Sequence, residues 1–303
     1  MNEVLVTRAL VKRYGRRLAL NGFSLSIPRG ATMGLVGRNG AGKTTWMMSV
    51  AGFVFPTSGE IDILGLGPFD AARHAGRISI LPQDSELPLE ARPYELLVGY
   101  GRLQGLSRQA AHDSATSLLE ALNLADRAQT SIRTLSHGMR KRVMVAQAFL
   151  GHPEIVLLDE PLSGLDPVEM DRLRTFIRSR RGKQTVLISS HHLDDVEKLC
   201  THVAFIANGK IEHTASLASL TSASGRVAYQ LRYPPELASL ASRAEDLSFT
   251  WQEATSTLVV EFRTTEPPET INARLIPELL PHGLISVTAG RTLEQAYLKG
   301  KLS

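Results

Sequence analysis

Unbroken apolar runs recur along this chain at long intervals, and between them the apolar positions repeat either in alternation or at helical spacing. Ala31-Thr32-Met33-Gly34-Leu35-Val36, Ile155-Val156-Leu157-Leu158 and Thr185-Val186-Leu187-Ile188 are too short for helices. Being apolar throughout, they predict strands covered on both faces, as in a largely parallel sheet. Val4–Val11 alternates weakly and predicts an edge strand, and Leu20, Phe23, Leu25 and Ile27 mark a second strand. Ile61–Leu64 and Ile78–Leu81 predict two short strands around a polar loop. From 92 to 150 the pattern turns helical, with predicted helices over Pro93–Leu106, Arg108–Leu122 and Met139–Gly151 inserted into the α/β order. Helices are predicted again over Val168–Arg181 and Leu193–Cys200, and Val203–Ile206 with Gly209–Ile211 forms a hairpin-like pair.

The first run leads into Gly37-Arg38-Asn39-Gly40-Ala41-Gly42-Lys43-Thr44, with Thr45 behind it, and a helix begins by Trp46. A glycine-rich turn between strand and helix that closes on Lys-Thr is a phosphate-binding loop. Its backbone N–H groups curl around one anion, and the helix N-terminus adds partial positive charge. Lys43 reaches the β- and γ-phosphates, and the Thr44 hydroxyl can hold Mg²⁺. The second run ends in Asp159-Glu160, at the carboxyl end of a strand, where open α/β sheets bind ligands. Asp159 would hold Mg²⁺, and Glu160 would orient or deprotonate an attacking water.

Composition narrows the setting. The 303 residues suffice for one large domain, or a medium domain with a small one. No stretch approaches the roughly 18 uninterrupted apolar residues of a membrane span, and Met1-Asn2-Glu3-Val4 does not begin a signal peptide. The single cysteine, Cys200, excludes an internal disulfide. The formal charge of +4 is spread along the chain, and the one tight basic cluster, Arg178–Lys183, reads as a solvated helix end, so no nucleic-acid partner is expected.

The ordered motifs over about residues 1–215 resemble the ATP-binding subunit of an ABC transporter. Tyr14 matches the adenine-stacking aromatic and residues 37–44 match Walker A. Gln83 matches the Q-loop glutamine, a Mg²⁺ and water contact. Leu135-Ser136-His137-Gly138-Met139 matches the signature, with His137 and Met139 departing from its commonest form. Residues 155–159 match Walker B, with Glu160 the catalytic carboxylate. Asp166 ends the D-loop, and His191 rather than its neighbour His192 matches the switch histidine. The resemblance implies a P-loop NTPase: a RecA-like α/β core, an antiparallel β subdomain and a helical insert at about 92–150, all within residues 1–220. It implies ATP and Mg²⁺ as ligands, and hydrolysis that powers a separately encoded membrane permease docked near Gln83 and Arg92–Glu95. It further implies a head-to-tail dimer in which each signature closes on the partner's ATP, and a peripheral place at the cytoplasmic face of the membrane. A soluble ABC ATPase of translation or DNA repair fits less well: there is one P-loop, and no heptad run. The signature and D-loop argue against a P-loop kinase.

Thr221-Ser222-Ala223-Ser224-Gly225 is the best linker. Residues 226–303 then predict strand, helix, hairpin, helix and strand, a ferredoxin-like α+β order. A short closing helix, Leu293–Leu298, resembles the end of drug-export-type ABC ATPases. A regulatory or dimer-stabilising role is expected for this module.

Overall fold

The computed structural model describes residues 3–222, 225–244, 246–262 and 268–289. The chain divides into two compact units, Met1–Thr214 and Ala215–Ser303.

The first unit is built on two sheets. Strands β1 (Glu3–Tyr14), β2 (Arg17–Pro28) and, after β3 (Thr32–Val36) and helix α1 (Lys43–Val50), β4 (Ser58–Ile63) form an antiparallel sheet in the order β2-β1-β4. The predicted edge strand β1 is therefore the middle strand. Its alternation is weak because a bulge interrupts it: Ala9 has φ +47°, and the register to both neighbours shifts between Thr7 and Val11.

Next come α2 (Ala71–His74), β5 (Ile78–Leu81), α3 (Pro93–Leu103), α4 (Arg108–Ala121), α5 (His137–Ala148), β6 (Ile155–Asp159), α6 (Pro167–Arg178), β7 (Thr185–Ser190), α7 (Leu193–Leu199), β8 (His202–Ala207) and β9 (Lys210–Ser216). The second sheet has the order β5-β6-β7-β3-β8-β9, and the neighbours from β5 to β8 run parallel. Strands β3, β6 and β7 are buried at every position, as their apolar runs require. Their carboxyl ends lie side by side and carry the glycine-rich turn, the two acids and the histidine pair.

Helix α1 joins the two sheets. Trp46 on it is fully buried, stacks on Phe23 of β2 at 5.3 Å, and donates from Nε1 to Thr7 Oγ1 of β1 at 3.2 Å. The helical segment holds its termini locally. Pro93 opens α3, and Ser107 caps α4 through the Ala110 N–H. The basic cluster after α6 is packed rather than wholly solvated. The Arg180 guanidinium lies 4.5 Å from the Phe176 ring centroid, and Arg181 donates to the Leu199 carbonyl at 2.6 Å.

The second unit contains α8 (Leu217–Ser222), β10 (Arg226–Leu231), α9 (Leu237–Arg243), β11 (Ser248–Gln252), β12 (Thr257–Glu261), α10 (Pro268–Leu279) and β13 (Leu284–Ala289). Its sheet is antiparallel with the order β11-β12-β10-β13, and it has its own core around Tyr229, Leu258, Val260, Ile271 and Leu275. Helix α8 takes up Thr221 and Ser222, so the start of the expected linker is helical. The closing helix at 293–298 lies outside the described residues.

Candidate nucleotide site

The site begins where β3 ends. Gly37 O accepts from Lys43 Nζ at 2.7 Å, so the lysine folds back across its own loop. Gly42 precedes α1 with φ +114°, and a Cβ there would come within 2.7 Å of the Ala19 carbonyl. Both facts demand glycine, and together they aim the first N–H groups of α1 into the loop. Lys43 is buried, and its Nζ also stands 3.5 Å from Glu160 Oε1.

The acidic side is set by β6 and β7. Asp159 Oδ2 accepts from Thr44 Oγ1 at 2.6 Å, and its Oδ1 accepts from the Ser189 hydroxyl. Ser189 Oγ in turn accepts from the Glu160 N–H at 2.9 Å. Glu160 is held at φ +49°, a left-handed conformation costly for a non-glycine residue and typical of functional sites. His191 Nδ1 lies 3.0 and 3.1 Å from the two Glu160 carboxylate oxygens, so its N–H donates there and its Nε2 is left over. His192 occupies the position before α7 without a side-chain capping bond, and its ring centroid is 3.9 Å from that of His191. Lys141, buried on α5, is pushed down by burial, while Asp159, Asp84 and Glu160 pull it back up.

A cavity of about 390 Å³ opens over the turn. It is lined by Tyr14, Arg17, Ala19, residues 39–45, Gln83 and Glu160. Tyr14 is half exposed there, with Lys12 Nζ 5.0 Å from its ring centroid. The oxygen donors Thr44, Asp159 and Gln83 are hard ligands of the kind Mg²⁺ takes; Thr44 and Asp159 are in direct hydrogen-bond contact, and Thr44 and Gln83 both line the cavity.

The signature and D-loop residues do not line this cavity. Ser136 caps α5, its hydroxyl accepting from the Met139 N–H at 3.1 Å, so the helix starts at His137 rather than Met139. Gly138 is buried against α6, and a Cβ on it would stand 2.6 Å from Glu169 Cγ. Beneath it Arg142 Nε pairs with Glu169 Oε2 at 2.8 Å and donates from Nη1 to the Leu122 carbonyl at 2.6 Å. Asp166 caps α6 through the Val168 and Glu169 N–H groups. His137 is exposed, with Nε2 beside Gly164 of the D-loop.

Sequence reasoning missed Ser189, which fixes both acids, and Arg17, which lines the cavity. Ser189 offered only a hydroxyl at the end of a buried strand, since the two acids it holds lie about 30 residues away in the chain. For Arg17 the signal was a cation three residues beyond the stacking aromatic. The Arg142–Glu169 pair left no local signal, because its partners are 27 residues apart in the chain.

A phosphate-binding turn, a paired hydroxyl and carboxylate, and a glutamate aimed by a histidine define a P-loop NTPase. The sequence profile of the ABC transporter family matches residues 20–163. The chain is 35% identical over 274 residues to the Nod factor export ATP-binding protein I of Burkholderia lata, covering 88% of each chain. It is 33% identical over 211 residues to the linearmycin resistance ATP-binding protein LnrL of Bacillus subtilis, covering 69% of this chain and 68% of that one. A solved ATP-binding subunit of an ABC transporter superposes with a TM-score of 0.64 at 27% identity, over 72% of this chain and 91% of that one. The chain belongs to the ATP-binding proteins of ABC transporters. It is an ATP-hydrolysing transporter subunit with Mg²⁺ as the usual cofactor. Subunits of this family work as dimers with separate membrane permeases, which sets aside a ribosome- or DNA-directed ATPase. No helix among the described residues is long and apolar enough to cross a membrane.

Proposed function

We propose that this chain powers an exporter, and that its site residues divide the work as follows. Adenine stacks on Tyr14, and the phosphates lie against residues 37–45, with Lys43 on the terminal ones. Thr44, Asp159 and Gln83 hold Mg²⁺, which neutralises phosphate charge when bound. Glu160 accepts a proton from the attacking water as the γ-phosphorus–oxygen bond to ADP breaks. His191 fixes the Glu160 carboxylate and meets the γ-phosphate. Ser136, His137, Gly138 and Met139, with Asp166, act on the ATP of a second copy docked head to tail.

One observation supports this reading above the others: a single cavity gathers Tyr14, the glycine-rich turn, Gln83 and Glu160, and Thr44 on its wall donates to Asp159 at 2.6 Å. The reading as an exporter draws on the names of the relatives, which are a Nod factor export protein and a linearmycin resistance protein. The permease would dock beside Gln83 and the start of α3 at Arg92–Glu95. The exposed aromatics Phe53, Phe55 and Phe69 add apolar area to the ATPase unit. The chain would then sit at the cytoplasmic face of the membrane, held there by the permease. Residues 1–220 would be the ATPase domain, and 226–303 a ferredoxin-like accessory domain with a regulatory or dimer-stabilising role.

The test is a pull-down from solubilised membranes with tagged Glu160→Gln protein and ATP. Co-purification of a polytopic membrane protein is expected, together with an ATP-dependent dimer on gel filtration. Recovery of the chain alone, monomeric with ATP, would overturn both the dimer and the permease.

A further inference from the structure

Two cations among the described residues line the nucleotide cavity, Lys43 and Arg17. They differ in what they already hold. Lys43 is engaged by the Gly37 carbonyl at 2.7 Å and by Glu160 at 3.5 Å. The Arg17 side chain has no hydrogen bond or ion pair to any described residue, although its guanidinium carries five donors. It is not pointed at bulk solvent alone: Nη2 stands 3.4 Å from the position of a Cβ on Gly40, at the crest of the phosphate-binding turn. Arg17 opens β2 directly opposite Tyr14, the last residue of β1. One two-residue turn, Gly15-Arg16, thus sets the stacking ring and the guanidinium side by side over the cavity mouth.

We propose that Arg17 is a further nucleotide-binding residue, which places its guanidinium fork on the phosphate tail next to the nucleoside while Lys43 takes the terminal phosphates. A planar fork matches two oxygens of one phosphate or bridges neighbouring ones, which a lysine at this place would not do. The position follows from the two ends of the cavity. With the base on Tyr14 and the terminal phosphate at Lys43, the segment between them passes beneath Nη2. The proposal rests on the nucleotide reading of this cavity.

The test is calorimetric affinity for Mg·ATP and for Mg·inorganic triphosphate, measured on the full chain and on Arg17→Ala, Arg17→Lys, Tyr14→Ala and Lys43→Ala. Arg17→Ala should weaken both ligands by about three- to tenfold, the range of one solvent-exposed charge-assisted contact. Arg17→Lys should recover part of the loss, and Tyr14→Ala should weaken ATP alone. Loss of ATP affinity with triphosphate affinity unchanged in Arg17→Ala would mean that the arginine acts only through Tyr14, and would overturn the proposal. Unchanged affinity for both ligands would do the same. If Lys43→Ala binds ATP as tightly as the unaltered chain, the nucleotide reading itself falls, and this proposal with it. A thermal melt of Arg17→Ala at the unaltered midpoint is expected, since the side chain holds nothing in the fold.

Discussion

The phosphate-binding half and the signature half of this ATPase unit are built in opposite ways. Around the glycine-rich turn the buried charges already have counterparts: Lys43 with Glu160, Glu160 with His191, Asp159 with Thr44 and Ser189, and the exposed Arg17 at the cavity mouth is the exception. The signature has its pairing underneath instead. Arg142 and Glu169 are locked together below Gly138, while Ser136 and His137 stand exposed at the helix start, outside the cavity. The first half is a finished binding site. The second is a packed platform whose exposed face holds nothing in the cavity, as the head-to-tail dimer proposed above requires.

Breaking the platform should give the largest effect. Arg142 is fully buried, so Arg142→Ala leaves the largely buried Glu169 with one partner fewer and should cost about 3–5 kcal/mol of stability. A chemical-denaturation midpoint near that of the unaltered chain would show that the platform is not held this way. Glu160→Gln should slow hydrolysis about a hundredfold or more while ATP binding persists, since it removes the base but not the cradle. Unchanged turnover would end the assignment. Gly138→Ala sharpens the comparison. Its Cβ would meet Glu169 at 2.6 Å, so it should cost about 1–3 kcal/mol by overpacking. It should impair ATP-dependent dimerisation more than ATP affinity of the monomer, and equal losses in both would blur the two halves.

The smallest effect lies far from both halves. A hydrogen bond from Arg29 holds the Glu154 carboxyl below its ordinary value, burial opposes this, and Arg77 adds to the lowering. A folded-state value below the unfolded one means that the contribution is fully present above the unfolded value of about 4.3. It fades as pH falls through the lowered folded value. Glu154→Gln should therefore cost on the order of 1 kcal/mol or less at neutral pH, given solvent screening of this half-exposed cluster. As pH falls from about 4.3 through the lowered folded value the two proteins should converge in melting temperature, and a constant offset at all pH values would remove the ion pairs as the cause.

The sequence made the finished half easy to read. Glycine spacing, an apolar strand and two adjacent acids are local signals, and each survives in the fold at the place expected of it. What was hidden depended on partners distant in the chain. Ser189 acts on residues about 30 positions away, and nothing near it says so. The middle place of β1 was obscured for a different reason. A bulge at Ala9 breaks the two-residue period, and periodicity is the only evidence a strand offers before its neighbours are known. The helix boundary at His137 was set by a cap, Ser136, whose hydroxyl could equally have been read as a ligand contact. In the fold that hydroxyl accepts from the Met139 N–H.

The chain has two tryptophans, and the fold gives one to each compact unit: Trp46 on α1 and Trp251 on β11. The first is fully buried against Phe23, one turn beyond Lys43, while the second is partly exposed. Intrinsic fluorescence therefore carries two separable reports on one molecule. Replacing Trp251 by phenylalanine leaves an emission that follows the ATPase unit alone, and replacing Trp46 leaves one that follows the other unit. Nucleotide should delay the denaturant-induced red shift of the first by an amount set by its concentration relative to Kd. Whether the second moves with it is a direct optical measure of whether the accessory unit feels the bound nucleotide at all.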